Sequence, residues 1–288
     1  MYNEYYCFGG VTLCLTGDAP WQPSDAPWQP SDICQPFRIE GGPADHTIRV
    51  TVTDALPQPP KNADRQGPTC RWREEGRFCL LQDYGGRYAA FAAREGDTTE
   101  LRLSEGCRDT LSPRVILESA GLFDLLADFG MLILHSAYIV TPEGEGILFS
   151  GPSGAGKSTQ AELWRQYAGA QVINGDRSLI RPADGTVHGI LYSGTSGICR
   201  NVSAPLRAIV LPVQGTENRV YPLRPQETFA RLLNQCAYYP WAADSASRMT
   251  ELVAQLMNTV PVYGMECRKE ESAVRVLETQ LRRARNGV

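Results

Sequence analysis

Hydrophobic and polar positions divide this chain into two regimes. Up to about residue 110 the apolar residues come in short runs separated by turn residues. Residues 47–53 alternate cleanly and put Ile48, Val50 and Val52 on one face of a strand. The aromatic and β-branched run 6–15 reads as another strand. Runs 77–82, 87–93 and 99–103, split by Gly-rich turns at 83–86 and 95–97, read as a meander of hairpins. From Arg114 the spacing changes. Residues 115–126 carry apolar side chains at helical intervals, 132–140 read as a strand, and a Gly-rich turn at 142–146 leads into a second strand at 147–150. Next come a helix over 159–167 stopped by Gly169 and a short strand at 171–174. More strands follow around 178–192 and 206–212, then helices over 226–237 and 244–258, a strand at 260–263 and a helix over 270–284. The pattern predicts a β-rich accessory domain over 1–110 and an α/β domain over 111–288.

Two stretches interrupt the first region. Residues 19–25 and 26–32 are the same heptad, Ala-Pro-Trp-Gln-Pro-Ser-Asp. Two copies are too few for a solenoid. A duplicated surface loop fits best, beside a polyproline-like recognition strand or a partner-binding tip with two tryptophans. The Pro-rich stretch 56–62 reads as a loop.

The strongest chemical signal lies between the strand at 147–150 and the following helix. Residues 151–158, Gly-Pro-Ser-Gly-Ala-Gly-Lys-Ser, match G-x-x-x-x-G-K-[ST] in full. Such a loop turns successive backbone N–H groups toward phosphate oxygens, and the helix N-terminus adds its positive dipole end. Lys157 is placed to reach the β- and γ-phosphates of a nucleoside triphosphate, and the Ser158 hydroxyl to ligate Mg²⁺. Phosphoryl transfer also needs an acid and charge neutralisation. Asp176, ending the first apolar strand after the loop helix, can hold Mg²⁺ or take a proton from an attacking hydroxyl, or it can be an ordinary turn residue of Asn-Gly-Asp. His135, on the strand before the loop, faces either the phosphates or the core. His188, Ser193, Thr195 and Arg200 belong to a Gly/Ser/Thr-rich segment that suits an acceptor pocket, or equally a hairpin with a wide loop. Arg177, Arg224 and Arg231 are weaker candidates for neutralising charge.

Composition narrows the classes. The 288 residues are 42% hydrophobic with a formal net charge of −4 and no Lys/Arg-rich run, which gives no sign of a nucleic-acid partner. No apolar stretch reaches membrane-spanning length, and the first residues lack a signal peptide's basic and apolar regions. The nine cysteines are scattered, without C-x-x-C or a Cys/His cluster, so a reducing cytoplasm is expected and neither zinc nor a disulfide framework. Cys199, in a Gly-rich loop, is the candidate reactive thiol.

His135 in Leu-His-Ser-Ala-Tyr-Ile-Val, the Gly-rich turn, the full phosphate loop and an acid only 19 positions after Lys157 together resemble the kinase domain of bacterial HPr kinase/phosphorylase. The resemblance covers roughly residues 115–285. It implies an α/β fold of the HPr-kinase/PEP-carboxykinase kind behind the β-rich N-terminal domain. It also implies ATP and Mg²⁺ as cofactors, with Gly151, Ser153, Gly154, Ala155, Gly156, Lys157, Ser158 and Thr159 around the triphosphate and Ser158 with Asp176 around the metal. Asp176, His135 and Lys157 stand where that family keeps its catalytic groups. The chain departs from the family in two places. Gly175 stands where a second acid is usual, and Tyr-Ser-Gly-Thr-Ser-Gly at 192–197 replaces the HPr-kinase signature. The chain is more similar to divergent HPr-kinase-related proteins, some of which phosphorylate serine in precursor peptides and others small molecules. The expected acceptor is therefore a serine of a peptide or protein, and homo-oligomer formation stays open.

Overall fold

The computed structural model describes residues 2–18, 33–53, 55–85 and 88–285. The protein is mixed α/β, with two sheets and, among the described residues, six α-helices. The repeated heptads at 19–32 lie outside the described residues. No helix among the described residues is long and apolar enough to cross a membrane. Two compact units form: Met1–Phe129 with Tyr238–Ala246, and Gly130–Ala237 with Ser247–Val288.

The first unit is built on β1 (Tyr2–Phe8), β2 (Val11–Gly17), β3 (Arg38–Ile39), β4 (His46–Thr53), β5 (Asp64–Gln66), β6 (Thr69–Glu74), β7 (Arg77–Asp83), β8 (Ala89–Glu95) and β9 (Thr98–Ser104). They form one sheet in the order β3-β1-β2-β4-β9-β8-β7-β6-β5. The expected meander is present as β7, β8 and β9, and the unpredicted β6 and β5 extend it, all antiparallel. Two expectations change. The run 6–15 is not one strand but a hairpin, turning at Gly9-Gly10. The cleanly alternating β4 is parallel to both neighbours, β2 and β9, in mid-sheet. Alternation reports which side chains are buried, not which strand lies alongside.

The 115–126 helix is two short ones, α1 (Pro113–Ser119) and α2 (Leu122–Asp128), separated where Gly121 adopts φ +77°. Ser112 caps α1 by accepting from the Val115 N–H, and Pro113 occupies the first turn. Both helices are tied to the first sheet, and the boundary therefore falls at Phe129, not near residue 110. Asp128 pairs with Arg94 at 2.7 Å, and Ser119 hydrogen-bonds Tyr88. Arg71, on β6, meets Asp124 at 2.8 Å and Asp244 at 3.1 Å.

His46 is buried at 2% exposure, with its Nε2 2.7 Å from the Thr99 hydroxyl. Burial holds its pKa down to about 4. The unfolded chain therefore takes up a proton below about pH 6.5 that the folded protein refuses. Stability from this site is complete above pH 6.5 and falls as pH drops toward 4, by about 3 kcal/mol in all. Denaturant unfolding at pH 7.5 and pH 4.5 should show this loss in the wild type and less of it in His46→Gln.

The second unit contains β10 (Leu132–Val140), β11 (Gly146–Ser150), α3 (Lys157–Ala168), β12 (Gln171–Asn174), β13 (Arg177–Arg181), β14 (Thr186–His188), β15 (Ser203–Gln214), β16 (Arg219–Pro222), α4 (Pro225–Leu233), most of α5 (Ala243–Thr259), β17 (Val262–Cys267) and α6 (Glu271–Arg285). The sheet runs β11-β10-β13-β14-β15-β17-β16, with β12 also on β10 and β11 also parallel to β15. The expected hairpin into the phosphate loop is β10–β11, in register from Ser136↔Ser150 to Val140↔Gly146. Every residue of β11 is buried, as a strand with neighbours on both edges and helices nearby requires. Ala161, Leu163 and Trp164 of α3 share a core with Ile147 and Phe149 of β11 and Val274 and Leu277 of α6. Gly169 ends α3 in the left-handed conformation, as the sequence predicts.

Candidate functional site

Residues 151–156 leave the buried end of β11 and enter α3 at Lys157. Gly154 and Gly156 adopt φ +81° and +103°, left-handed conformations that glycine takes without strain. Lys157 lies inside this turn at 7% exposure, its Nζ donating to the carbonyls of Gly151 at 2.9 Å and Pro152 at 3.1 Å. Burial pushes its pKa below the usual lysine range, against the pull of the Asp176 charge. A buried ammonium facing neutral carbonyls and one carboxylate fits a polyanion, which would supply the missing counter-charge. Ser153 and Ser158 are exposed, and Ala155 and Thr159 half-buried. Gln214, at the end of β15, donates to the Gly154 carbonyl at 3.0 Å and fixes the loop's outer side.

His135 and Asp176 come together beside the loop, with His135 Nε2 3.6 Å from Asp176 Oδ1. Their strands explain it. β10 pairs with β13 through His135↔Arg177 and with β12 through Tyr138↔Asn174, so the intervening Gly175-Asp176 lies across from the middle of β10. The Ser136 N–H donates to the Asp176 carbonyl at 2.9 Å, and the Ser150 hydroxyl to the His135 carbonyl at 2.9 Å. Turn capping falls to Asn174, not Asp176. The Asn174 Oδ1 accepts from the N–H groups of Asp176 (3.0 Å) and Arg177 (3.1 Å), while its amide donates to the Ile190 carbonyl at 2.6 Å. The Asp176 carboxylate is thereby left to face His135 and, at 3.6 Å, the Arg177 Nε.

Burial, reinforced by the Lys157 charge, pushes the His135 pKa below its usual value, while Gln235 and Asp176 pull upward. The ring is therefore neutral at neutral pH. Its Nδ1 lies 3.1 Å from Gln235 Oε1, an acceptor, which puts the proton on Nδ1 and a lone pair on Nε2. Nε2 and the Asp176 carboxylate are then two facing acceptors, a pair that fits a hydroxyl donor or a cation brought from outside. Ser158, at the loop's helical end, and Asp176 carry oxygens of the kind that a hard divalent cation takes.

Gln235 is a residue that pattern reading misses. It follows α4, and the segment after that helix runs along β10: the His135 N–H donates to the Gln235 carbonyl at 2.8 Å, and the Ala237 N–H to the Ile133 carbonyl at 2.9 Å. No local signal marks it, since it meets His135 across 100 positions. A cavity of about 560 Å³ opens beside it, bounded by Ser150–Ala155 of the loop, Leu211–Gln214 of β15, and Arg231, Asn234 and Gln235. Arg231 there is paired with Glu227 at 2.6 Å.

The 192–200 segment is divided by the structure. Its turn Gly194–Ser196 packs on Gly175-Asp176. A Cβ on Gly175 would stand 2.1 Å from Ser196 Oγ, and one on Gly194 2.7 Å from Asp176 Cβ. Position 175 is thus closed to a side chain by a neighbouring turn. Ser193 is half-buried and Thr195 exposed on this turn, and Arg177 lies over the Tyr192 ring at 5.5 Å. Arg200 is exposed, its backbone N–H tied to the Ile173 carbonyl. His188 is not brought to this group. It is buried on β14, with Nδ1 2.7 Å from the Ser203 hydroxyl and Nε2 3.2 Å from Thr186, and it feels Arg181 and Asp184 rather than Asp176. The expectation for Cys199 also fails. Burial raises its pKa to about 12, and its thiol donates to the Ile190 carbonyl, so a thiolate does not form at neutral pH.

No protein-family model matches this chain, and no curated protein matches it in sequence.

Proposed function

We propose that this protein is an ATP-dependent kinase that transfers the γ-phosphoryl group to a hydroxyl, with a serine of a peptide or protein as acceptor. We further propose that its second unit is a divergent relative of the HPr-kinase/PEP-carboxykinase fold. The observation that carries the reading is the convergence of Lys157, His135 and Asp176 beside the phosphate loop. ATP with Mg²⁺ supplies an activated phosphoryl group and charge neutralisation on its oxygens. The loop amides and Lys157 hold the phosphates, and Ser158 with Asp176 holds the metal. Asp176 accepts the proton of the acceptor hydroxyl as that oxygen bonds phosphorus and the bond to the β-phosphate oxygen breaks. His135 Nε2 accepts a hydrogen bond and orients the same hydroxyl. Most of the rate comes from positioning and fixed charge.

Transfer of radiolabelled γ-phosphate to serine peptides, with free serine and other small hydroxyl compounds in parallel, tests this. Label on a peptide supports the reading, whereas label only on a small molecule moves the acceptor class. ATP binding with no acceptor labelled would favour a second reading, a nucleotide-sensing module without catalysis. Gly175, where a second acid would stand, is the observation behind that alternative.

Turnover should fall on the acid side with a midpoint below about pH 6.5, because a protonated His135 would set a second cation against Lys157 and draw the Asp176 carboxylate to itself. A rate–pH profile of His135→Gln should lose this limb while binding of ATP persists.

A further inference from the structure

The parallel ladder between β11 and β15 has a definite end. The Ile209 N–H donates to the Pro261 carbonyl at 3.0 Å and the Gly215 N–H to the Cys267 carbonyl at 3.3 Å, so the odd-numbered residues turn their backbone groups toward β17. The even-numbered ones face β11, in register at Ile147↔Ala208 and Phe149↔Val210. One step further, that register calls for N–H groups at Pro212 and Pro152, and proline has none. The ladder stops there, β15 runs on to Gln214, and a crevice opens between it and the phosphate loop. Open α/β sheets take their ligands in such crevices, at the carboxyl ends of parallel strands.

This crevice is the cavity of about 560 Å³. Two of its lining residues tie it to the reacting end of the site. Gln235 meets the His135 ring at 3.1 Å, and the Pro152 carbonyl accepts from the Lys157 Nζ at 3.1 Å. Other parts of the wall are apolar, formed by Ala155, Leu211, Pro212 and Val213. Its charged residue, Arg231, is paired with Glu227. Leu211 is buried, whereas Val213 is 37% exposed, the only exposed large hydrophobic residue of the second unit among the described residues. A lone exposed valine is ordinary on a surface. This one lines a cavity beside the reacting groups, and the cavity's volume lies within the range of about 300–1,000 Å³ typical of ligand clefts.

We propose that this cavity holds an apolar side chain of the acceptor peptide, adjoining the serine that is phosphorylated. The inference rests on the kinase reading and deepens it by setting a requirement on the acceptor sequence. A leucine or phenylalanine gains by leaving water for these walls. An aspartate or lysine gives up hydration there and finds no free counter-charge.

Transfer of labelled γ-phosphate from ATP to a peptide set tests this. Each peptide is polyalanine with one central serine, and Leu, Phe, Asp or Lys stands at each flanking position in turn. At one position Leu and Phe should raise kcat/KM about tenfold over Ala, with Asp and Lys at or below Ala. Val213→Asn, neutral and at an exposed position, should raise the KM of the favoured peptide about threefold to tenfold and leave the calorimetric affinity for ATP with Mg²⁺ unchanged. Peptides labelled equally whatever their flanking residues, or a KM unmoved by Val213→Asn, overturn the cavity assignment alone. So does a loss of ATP affinity in Val213→Asn that inorganic tripolyphosphate does not share, which puts the nucleobase in the cavity. ATP bound with no peptide labelled overturns the peptide-kinase reading and this inference with it.

Discussion

Replacing Asp176 by asparagine is expected to lower phosphoryl transfer by about 10²–10⁴-fold while ATP still binds. Asparagine keeps the size of the side chain but neither accepts the hydroxyl proton nor carries the charge that faces His135 and Arg177. The fold should not suffer, because the turn is held by Asn174, whose Oδ1 takes both the Asp176 and Arg177 N–H groups. Lys157→Ala should behave differently, losing nucleotide affinity and turnover together, since the only buried cation of the loop is removed among the described residues. Single-turnover rates, with calorimetric affinity and melting temperature alongside, separate the three effects. Undiminished transfer in Asp176→Asn would sink the assignment of Asp176 as base.

Arg71→Ala should be among the most destabilising single changes in the first unit. The Arg71 and Asp124 side chains are each 3% exposed, and the guanidinium lies over the rings of Phe78 at 4.5 Å and Tyr239 at 4.8 Å. Burial raises the Asp124 pKa despite the opposing attraction of Arg71 and the Ser245 hydroxyl. The pair therefore compensates a desolvation penalty more than it adds stability. Removing one member leaves a buried charge alone, at a cost of about 3–5 kcal/mol. Replacing both, as in Arg71→Met with Asp124→Leu, should recover most of that loss. Urea unfolding followed by tryptophan fluorescence measures both variants, with the two units fitted as separate transitions. A single-variant loss under about 1 kcal/mol, the range of exposed pairs, would mean that water reaches the site.

The residues around the candidate site differ in how readable they were. The phosphate loop, its feeding hairpin, the α3 helix and the position of Asp176 after β12 are local features. Each follows from a motif or a run of adjacent residues whose period matches its element. The boundary of the first unit was not readable, because Arg94–Asp128 and Arg71–Asp124 link helices to strands far apart in sequence. Nor was the neutral, Nδ1-protonated state of His135, which depends on Gln235. The Gly/Ser/Thr-rich 187–201 segment reads in sequence as a pocket wall or, equally, as a hairpin with a wide loop. Its turn packs on Asp176, while His188 turns into a separate network with Ser203 and Thr186.

By itself, the sequence determined that this chain folds a glycine-rich, lysine-bearing loop between a buried strand and a helix, with an acid one short strand later. Backbone dihedrals and hydrophobic period act over a few residues, so local order suffices to set such features. Only the tertiary structure decided that Asn174 frees the Asp176 carboxylate, that Ser196 fills the space above Gly175, and that Gln235 sets the histidine tautomer. It likewise decided that Gln160 is buried early in α3, with an Oε1 that has no hydrogen-bond partner among the described residues. Those facts depend on which distant segments share a surface. That choice is made by packing and by the cost of burying unpaired polar groups, and it leaves no period in the chain.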